Sequence, residues 1–93
     1  MFDRQLRHFR ECVRRADYDI TFHGLDEMEE DRFSVLDVES CILTGAVVER
    51  QRDRRTGEHK YVIQGRALGG AGITVVAKWL RTGKMAVLTV YRT

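Results

Sequence analysis

The hydrophobic pattern of this chain changes its period once, at Gly45, and that change constrains the fold more than any other feature. Before Gly45, apolar residues recur every three or four positions, as in amphipathic helices. After Gly45, four short runs alternate apolar with polar residues, as in strands with one solvated side. The sequence therefore predicts an α+β fold, with the helices first and the sheet second.

Three helices are predicted in the N-terminal half. The first runs from Asp3 to about Ala16 and also carries a stripe of arginines. The second is short, begins near His23 and is expected to bury Leu25 and Met28. A short extended segment, residues 20–22, precedes it.

The third helix has the clearest start and stop signals. Ser34 and Asp37 have the spacing of a capping box, in which each side chain bonds the other residue's backbone N–H. Gly45 follows the last apolar residues, and we expect it to end the helix in the left-handed conformation.

Four strands are predicted in the C-terminal half. They span residues 46–52, 59–66, 73–79 and 85–92. The short loops between successive strands favour an antiparallel meander. The 93 residues have room for one core only, so we expect a single domain over residues 1–93. In it, the N-terminal helices pack on one face of a four-stranded antiparallel sheet.

Alternation along each strand divides the sheet side chains between two faces. One set is apolar and is expected to lie under the helices: Tyr61, Ile63, Ile73, Val75, Ala77, Trp79, Ala86, Leu88 and Val90. Val87 falls on the opposite side, which we call the open face. The polar residues of the open face are Lys60, Gln64, Arg66, Lys78, Thr89 and Tyr91.

The open face has residue types that metal-free RNA cleavage requires. That reaction needs a deprotonated 2′-hydroxyl, a stabilised phosphorane charge and a protonated leaving oxygen. Lys60 and Lys78 can stabilise charge, Gln64 can hydrogen-bond a phosphate or base, and Tyr91 can transfer or position a proton. The competing interpretation is an ordinary solvated sheet face, which carries the same residue types.

Arginines are concentrated around the first hairpin loop. Arg50 and Arg52 lead into this loop, and Arg54 and Arg55 lie within it. Together with two arginines from later strands they form the predicted RNA-binding set: Arg50, Arg52, Arg54, Arg55, Arg66 and Arg92. Docking of an acidic partner surface and protection of a sheet edge by charge are alternative explanations.

Charge is distributed unevenly along the chain. Residues 17–49 hold one arginine against ten carboxylates, whereas residues 50–93 hold ten Lys and Arg against two carboxylates. This pattern favours a molecule with an acidic and a basic side, or mutual neutralisation of the two regions within the fold.

Several functional classes are excluded or disfavoured. No apolar run approaches the roughly 20 residues of a membrane-spanning helix, and charges near Met1 argue against a signal peptide. We therefore expect a cytoplasmic protein without a membrane partner. Cys12 and Cys41 are far apart and are read as small buried residues. The His and Cys spacings predict no metal site, and no glycine-rich loop predicts a phosphate-bearing cofactor.

His23 is a separate candidate residue. At the start of a helix, the helix dipole disfavours its protonated form. A neutral, hydrogen-bonding imidazole in the candidate catalytic set and a packed structural histidine both fit this position.

Several ordered motifs resemble a family of small bacterial proteins of unknown function. Residues 21–28 are similar to its T-x-H-A-L-E-x-M segment, and residues 37–45 to its D-V-E-x-x-I-L-x-G helix. Further similarities lie at residues 48–53 (V-E-R-Q-x-D), 60–63 (K-Y-V-I), 75–78 (V-V-x-K) and 89–91 (T-V-Y). Gly24 stands in place of the usual alanine, and Glu27 stands where many members have arginine, which removes a cation.

The resemblance implies a distant relationship to the RelE, BrnT and MqsR toxins and a RelE- or MqsR-like fold. It also implies a zinc-finger partner similar to the MqsA antitoxin and a messenger RNA substrate. MqsR-type toxins use Lys, Gln and Tyr on their sheet, which are the residue types of Lys60, Gln64, Lys78 and Tyr91.

We therefore expect a metal-independent mRNA endoribonuclease of a toxin–antitoxin pair. A non-enzymatic protein- or RNA-binding module of the same fold is the alternative, and a structural homodimer is a third, weaker one.

Overall fold

Helices and strands follow each other as the change in period predicts, with one short strand added. The computed structural model describes all 93 residues. In chain order the elements are α1 (Asp3–Arg14), β1 (Tyr18–Ile20), α2 (Phe22–Glu30), α3 (Val35–Thr44), β2 (Ala46–Arg52), β3 (His59–Arg66), β4 (Gly72–Trp79) and β5 (Met85–Arg92). The α+β class is confirmed.

The sheet has five strands in the order β1-β5-β4-β3-β2. Strands β2 to β5 form the antiparallel meander, and β1 adds to it parallel to β5, with Tyr18 opposite Met85. The prediction of a purely antiparallel four-stranded sheet is therefore wrong. The extended segment before α2 lies at Tyr18–Ile20, and its three residues are too few to show an alternating pattern.

One apolar core lies between the sheet and the helices α1 and α3. Phe9 of α1 and Ile42 of α3 are fully buried, as are Ile63, Val75 and Val90 of the sheet. All belong to a single cluster of 17 buried residues, which agrees with a single hydrophobic core. These two helices cover one face of the sheet only.

Helix α3 lies unusually close to β3 because two glycines meet at their contact. A Cβ atom on Gly65 would overlap the carbonyl oxygen of Cys41 and lie 3.0 Å from its Cα. A Cβ on Gly45 would overlap the carbonyl oxygen of Gln64. Gly45 itself is extended, with φ −95°, so the predicted left-handed stop is wrong. The glycine is required there by close packing.

Arg10 of α1 ties the end of α3 in place. Its Nε donates to the Ile42 carbonyl and its Nη2 to the Gly45 carbonyl, both at 3.0 Å. The last carbonyls of a helix have no partner within the helix, and a guanidinium satisfies them while complementing the helix dipole.

A bulge in β5 changes which side chains face the helices. Val76 pairs with Thr89, but the next residue, Ala77, pairs with Val87, so Leu88 is the extra residue. Met85, Val87 and Val90 are consequently fully buried on the helix side. The assignments of Ala86 and Leu88 to the core face and of Val87 to the open face are wrong. Val90, Thr89 and Tyr91 lie on the predicted sides.

Helix α2 lies along the outer edge of β5 instead of over the sheet. Three side chains occupy backbone groups of β5 that a neighbouring strand would otherwise bond. Thr21 Oγ1 donates to the Leu88 carbonyl, Glu27 accepts from the Val90 N–H, and Asp31 accepts from the Arg92 N–H, each at 3.0 Å. In this position Met28 is buried but Leu25 is 41% exposed, so the predicted burial of Leu25 is wrong.

Cys12 and Cys41 are free thiols and both are buried, as their interpretation as core residues requires. Burial raises the pKa of the Cys41 thiol to about 12.

None of the three helices is long and apolar enough to cross a membrane.

The capping box of α3 is present, and its aspartate also bonds the β3–β4 loop. Ser34 Oγ accepts from the Asp37 N–H at 3.3 Å, and Asp37 Oδ2 accepts from the Ser34 N–H at 2.8 Å. Asp37 Oδ1 also accepts from the Leu68 N–H at 3.0 Å. The Ser34 and Leu68 N–H groups hold the pKa of the Asp37 carboxyl below its ordinary value.

Replacing Gly65 by alanine is expected to destabilise the protein by about 2–3 kcal/mol, because the added methyl must push α3 away from β3. Gly69→Ala is the matched control, since nothing lies within 4 Å of its added Cβ. Midpoints of urea unfolding give the comparison. Equal midpoints for the two variants would contradict the close contact.

Asp37→Asn is expected to cost about 1 kcal/mol at neutral pH, the usual magnitude for a lost helix cap. A carboxyl with a lowered pKa in the folded state stabilises the fold above its unfolded-state pKa, about 3.9, and loses this effect as the pH falls through its folded-state value. The difference in urea midpoint between wild type and variant should therefore shrink below about pH 4. A constant difference down to pH 2 would show that the ionised carboxylate is not what stabilises the helix.

Candidate nucleic-acid interface

The strand register assigns Lys60, Gln64, Arg66, Lys78 and Tyr91 to the open face. Gln64 lies opposite Thr74, and Thr74 lies opposite Tyr91 on the next strand. Neighbouring residues on the same strands, such as Ile63 and Val75, are buried on the helix side. The five polar side chains therefore share one side of the sheet.

No helix packs over the open face, because α1 and α3 lie on the other side and α2 follows the edge of β5. Tyr91 is 41% exposed, and Gln64 and Arg66 are also exposed. Between the polar residues, Val62 and Val76 form a buried floor. Thr74 is fully buried, and its hydroxyl pairs with that of Thr93 at 2.8 Å.

The candidate residues lie at two ends of this face. Lys60 and Gln64 are four residues apart on β3, which corresponds to about 13 Å along a strand. We call the side with Lys60 and Lys78 the lysine end, and the side with Gln64, Arg66 and Tyr91 the tyrosine end. The four predicted catalytic sheet residues thus lie in two pairs, Lys60 with Lys78 at one end and Gln64 with Tyr91 at the other.

The tyrosine end adjoins an open cleft of about 410 Å³. Gln64 and Arg66 line it together with the hydroxyl-bearing residues Thr44 and Thr93. The Arg66 N–H donates to Thr44 Oγ1 at 3.3 Å, and its Nη1 donates to the Gly70 carbonyl at 3.4 Å. The cleft thus offers an amide and a guanidinium, which suits an anionic, hydrogen-bonding ligand. Its two hydroxyls already bond the Ser40 carbonyl and Thr74.

The lysine end has a cleft of its own, of about 460 Å³. Lys78 and Arg81 line it, with Glu58 and Thr56 from the β2–β3 hairpin. Lys78 Nζ lies 3.0 Å from Glu58 Oε2. This ion pair means that one of the two predicted lysines already has an anionic partner.

His23 is not brought to the open face. It lies in the first turn of α2, its side chain is 70% exposed, and its Nε2 is 3.3 Å from Glu27 Oε1. Because Glu27 accepts from the Val90 N–H, this pair belongs to the edge of β5. Glu27 therefore has a structural role at this edge.

The hairpin arginines divide into two groups. Arg54 and Arg55 are exposed in the loop. Asp53 orders that loop by accepting from the N–H groups of Arg55 and Thr56 at 2.8 and 3.4 Å. These bonds hold the pKa of the Asp53 carboxyl below its ordinary value.

Arg50, Arg52 and Arg92 point to the side of the sheet that the helices cover. Arg50 pairs with Tyr61, and its guanidinium lies 5.7 Å from the centre of the Phe2 ring. Arg52 has the same orientation, two residues along β2. The Arg92 guanidinium donates to the Asp31 carbonyl at 2.9 Å and lies 4.7 Å from the centre of the Phe33 ring. Three of the predicted RNA-binding arginines are thus separated from the open face.

Sequence reasoning missed Glu58, Arg81, Thr44 and Thr93 as members of the two clefts. Glu58 and Arg81 lie in turns, where alternation carries no information, and Thr44 lies at the end of α3. Only the folding of the chain brings these four residues next to the strand residues of the two clefts.

No group of three or more His, Cys, Asp or Glu side chains is placed to hold a metal ion.

Comparison with protein families assigns the chain to a family. A family model described as a domain of unknown function, DUF4258, matches residues 20–92, and the chain therefore belongs to this family. The match begins at the end of β1 and covers α2, α3 and the whole meander. No curated protein and no solved structure matches.

Glu58→Gln is expected to change the free energy of unfolding by less than about 0.5 kcal/mol, because exposed ion pairs contribute little. Urea unfolding measures this, with Lys78→Gln as the reciprocal variant. Such a result would mean that Lys78 can exchange Glu58 for another anion at small cost. A loss above about 2 kcal/mol would instead show that the pair holds the hairpin in place.

Proposed function

We propose that this protein binds single-stranded RNA along its open face and cleaves it without a metal ion at the tyrosine end. The observation that carries the proposal is the presence of Lys60, Gln64, Arg66, Lys78 and Tyr91 on one face that no helix covers. A chain of phosphates needs such a series of cationic and hydrogen-bonding groups, in contrast to a small ligand that needs an enclosed pocket.

The tyrosine end supports the cleavage step. The 2′-hydroxyl gives its proton to solvent water, its oxygen attacks the adjacent phosphorus to form a cyclic phosphate, and the bond from phosphorus to the 5′-oxygen breaks. Arg66 stabilises the charge that develops on the phosphorane, and Gln64 orients a phosphate oxygen. The Tyr91 hydroxyl supplies the proton to the leaving oxygen. The cleft lining contains no carboxylate or imidazole to act as a base, so we expect slow cleavage.

The lysine end supports binding of the flanking nucleotides. Lys60, Lys78 and Arg81 contact phosphates there, and Arg54 and Arg55 extend the cationic surface along the hairpin. Contacts of this kind release counterions, so binding should weaken steeply with salt.

We also propose that the protein is the toxin-like member of a toxin–antitoxin pair. This proposal is supported by the resemblance to RelE-, BrnT- and MqsR-like toxins, and the expected partner is a zinc-finger protein similar to MqsA. A neighbouring reading frame with paired C-x-x-C motifs would support this pairing, and its absence would argue against it.

A binding module that does not cut RNA is the second candidate. The spacing of about 13 Å between the backbone positions of the two ends favours it, since residues spread along the face suit contacts to successive phosphates. Both candidates predict RNA binding on the open face, and only the first predicts products.

Purified wild-type protein is expected to cleave a single-stranded RNA oligonucleotide in the presence of EDTA. Tyr91→Phe and Arg66→Gln should each lower the single-turnover rate by roughly 100-fold, since each removes a group that acts in the transition state. Lys60→Ala should mainly weaken RNA binding. It should also lower the dependence of the binding constant on salt concentration by the amount that one phosphate contact contributes. Arg14→Gln is the matched control, because Arg14 is an exposed arginine on α1.

Three outcomes separate the candidates. Cleavage that is lost in Tyr91→Phe but kept in Arg14→Gln supports the nuclease. RNA binding without products, weakened by Lys60→Ala, overturns cleavage and supports the binding module. Absence of both binding and cleavage overturns the two candidates together.

A further inference from the structure

The outer edge of β2 has no hydrogen-bonding partner in the fold. β2 is the last strand of the sheet, paired only with β3. No backbone group of residues 46–52 takes part in any hydrogen bond outside that pairing. In an antiparallel edge strand, every second residue directs its N–H and C=O away from the neighbour. Free donors and acceptors therefore alternate along β2.

The opposite edge of the sheet is treated differently. There β1 covers the first residues of β5, and Thr21, Glu27 and Asp31 occupy the backbone groups beyond it. Side chains thus block strand pairing along β5 beyond β1, and β1 itself leaves an edge of only three residues. The outer edge of β2 is seven residues long and remains accessible.

The accessible edge is cationic on one side. Arg50 and Arg52 are both exposed and, as alternate residues, project to the same side of the sheet. The ring of Phe2 lies under the Arg50 guanidinium and limits its orientations. Arg54 and Arg55 continue this positive charge into the hairpin loop.

This charge discriminates between occupants of the edge. A second copy of the chain, paired in the register that aligns residues 50–52 of both strands, would bring the same arginines together, and like charges there are destabilising. An acidic strand would instead place carboxylates opposite them. The exposed side chain of Val48, 52% accessible, adds an apolar contact at the bulge of β2.

We propose that the outer edge of β2 binds an extended acidic segment of a protein partner by strand addition. The segment carries carboxylates on alternate residues, at positions i and i+2, which pair with Arg50 and Arg52. Its backbone completes the ladder at residues 49–52, so the backbone supplies affinity and the carboxylates supply specificity.

A peptide fits this edge better than RNA does. The edge presents N–H donors and C=O acceptors in alternation, and another peptide strand satisfies both. Phosphate oxygens only accept hydrogen bonds, so an RNA strand bound through its phosphates would leave the carbonyls of β2 unpaired. The arginines concerned also lie on the helix-covered side, away from the open face.

A capped peptide of sequence Thr-Glu-Val-Glu-Val-Glu-Thr is a suitable probe. Titrated into the full chain, it is expected to slow hydrogen exchange of the outward amides of residues 49–52 and to shift their NMR signals. A peptide with Gln in place of Glu should bind about tenfold more weakly, because the charge-assisted pairs are lost. A peptide that is N-methylated on the alternate residues whose N–H groups would face β2 should not bind, because it cannot form the hydrogen bonds of a strand pair.

Variants of the protein provide the reciprocal test. Arg50→Gln combined with Arg52→Gln should weaken the acidic peptide about tenfold. The matched control combines Arg14→Gln with Arg15→Gln, which removes the same charge from exposed positions at the C-terminal end of α1 and should leave peptide binding unchanged. The comparison of normal and N-methylated peptides on wild-type protein does not depend on how the variants fold.

Two results would overturn the proposal. Equal binding of the normal and N-methylated peptides would show attraction by charge alone, without strand addition. Perturbation of the same β2 amides by an RNA oligonucleotide, with no effect of the acidic peptide, would assign this edge to nucleic acid. Neither result depends on cleavage at the tyrosine end, so failure here and failure of the proposed function are distinguishable.

Discussion

The close contact between α3 and β3 is the constraint on which the rest of the molecule depends. Gly45 and Gly65 allow the backbones to approach, and the Cys41 side chain fills the space between them with its sulfur 3.4 Å from the Ile73 carbonyl. Arg10 then fastens the end of the helix to α1. With the helices held on this side, the polar side chains of β3 and β4 have no covering layer, which is why a candidate interface exists.

The acidic middle of the chain has a structural explanation. Glu27 and Asp31 replace a strand along β5, Asp37 joins the start of α3 to the β3–β4 loop, and the Tyr18 hydroxyl donates to Glu39. These carboxylates bond backbone amides or a phenol, and none of these contacts neutralises an arginine of the basic hairpin. The positive charge of the hairpin arginines is consequently not neutralised by these carboxylates.

Local patterns were sufficient to predict the helices, the capping box and the four meander strands, because each depends on residues close in sequence. Strand β1, the bulge at Leu88 and the edge position of α2 depend on pairing with distant segments, and no local pattern encodes them. For the candidate site, alternation assigned Gln64 and Tyr91 to one face. It could not reveal that Lys78 lies at the same end as Lys60 and Tyr91 at the same end as Gln64, or that Lys78 forms an ion pair with Glu58, because these require the register between strands.

The bulge at Leu88 gives β5 two different phases of alternation. Before it, the odd-numbered residues Met85 and Val87 face inward, and after it the even-numbered Val90 does so. With uninterrupted pairing, Thr89 and Tyr91 would be turned beneath the helices and Val90 toward solvent. The chemical character of this surface is therefore a property of backbone register as much as of residue identity. Two chains with the same residues here and a bulge at different positions would present different surfaces.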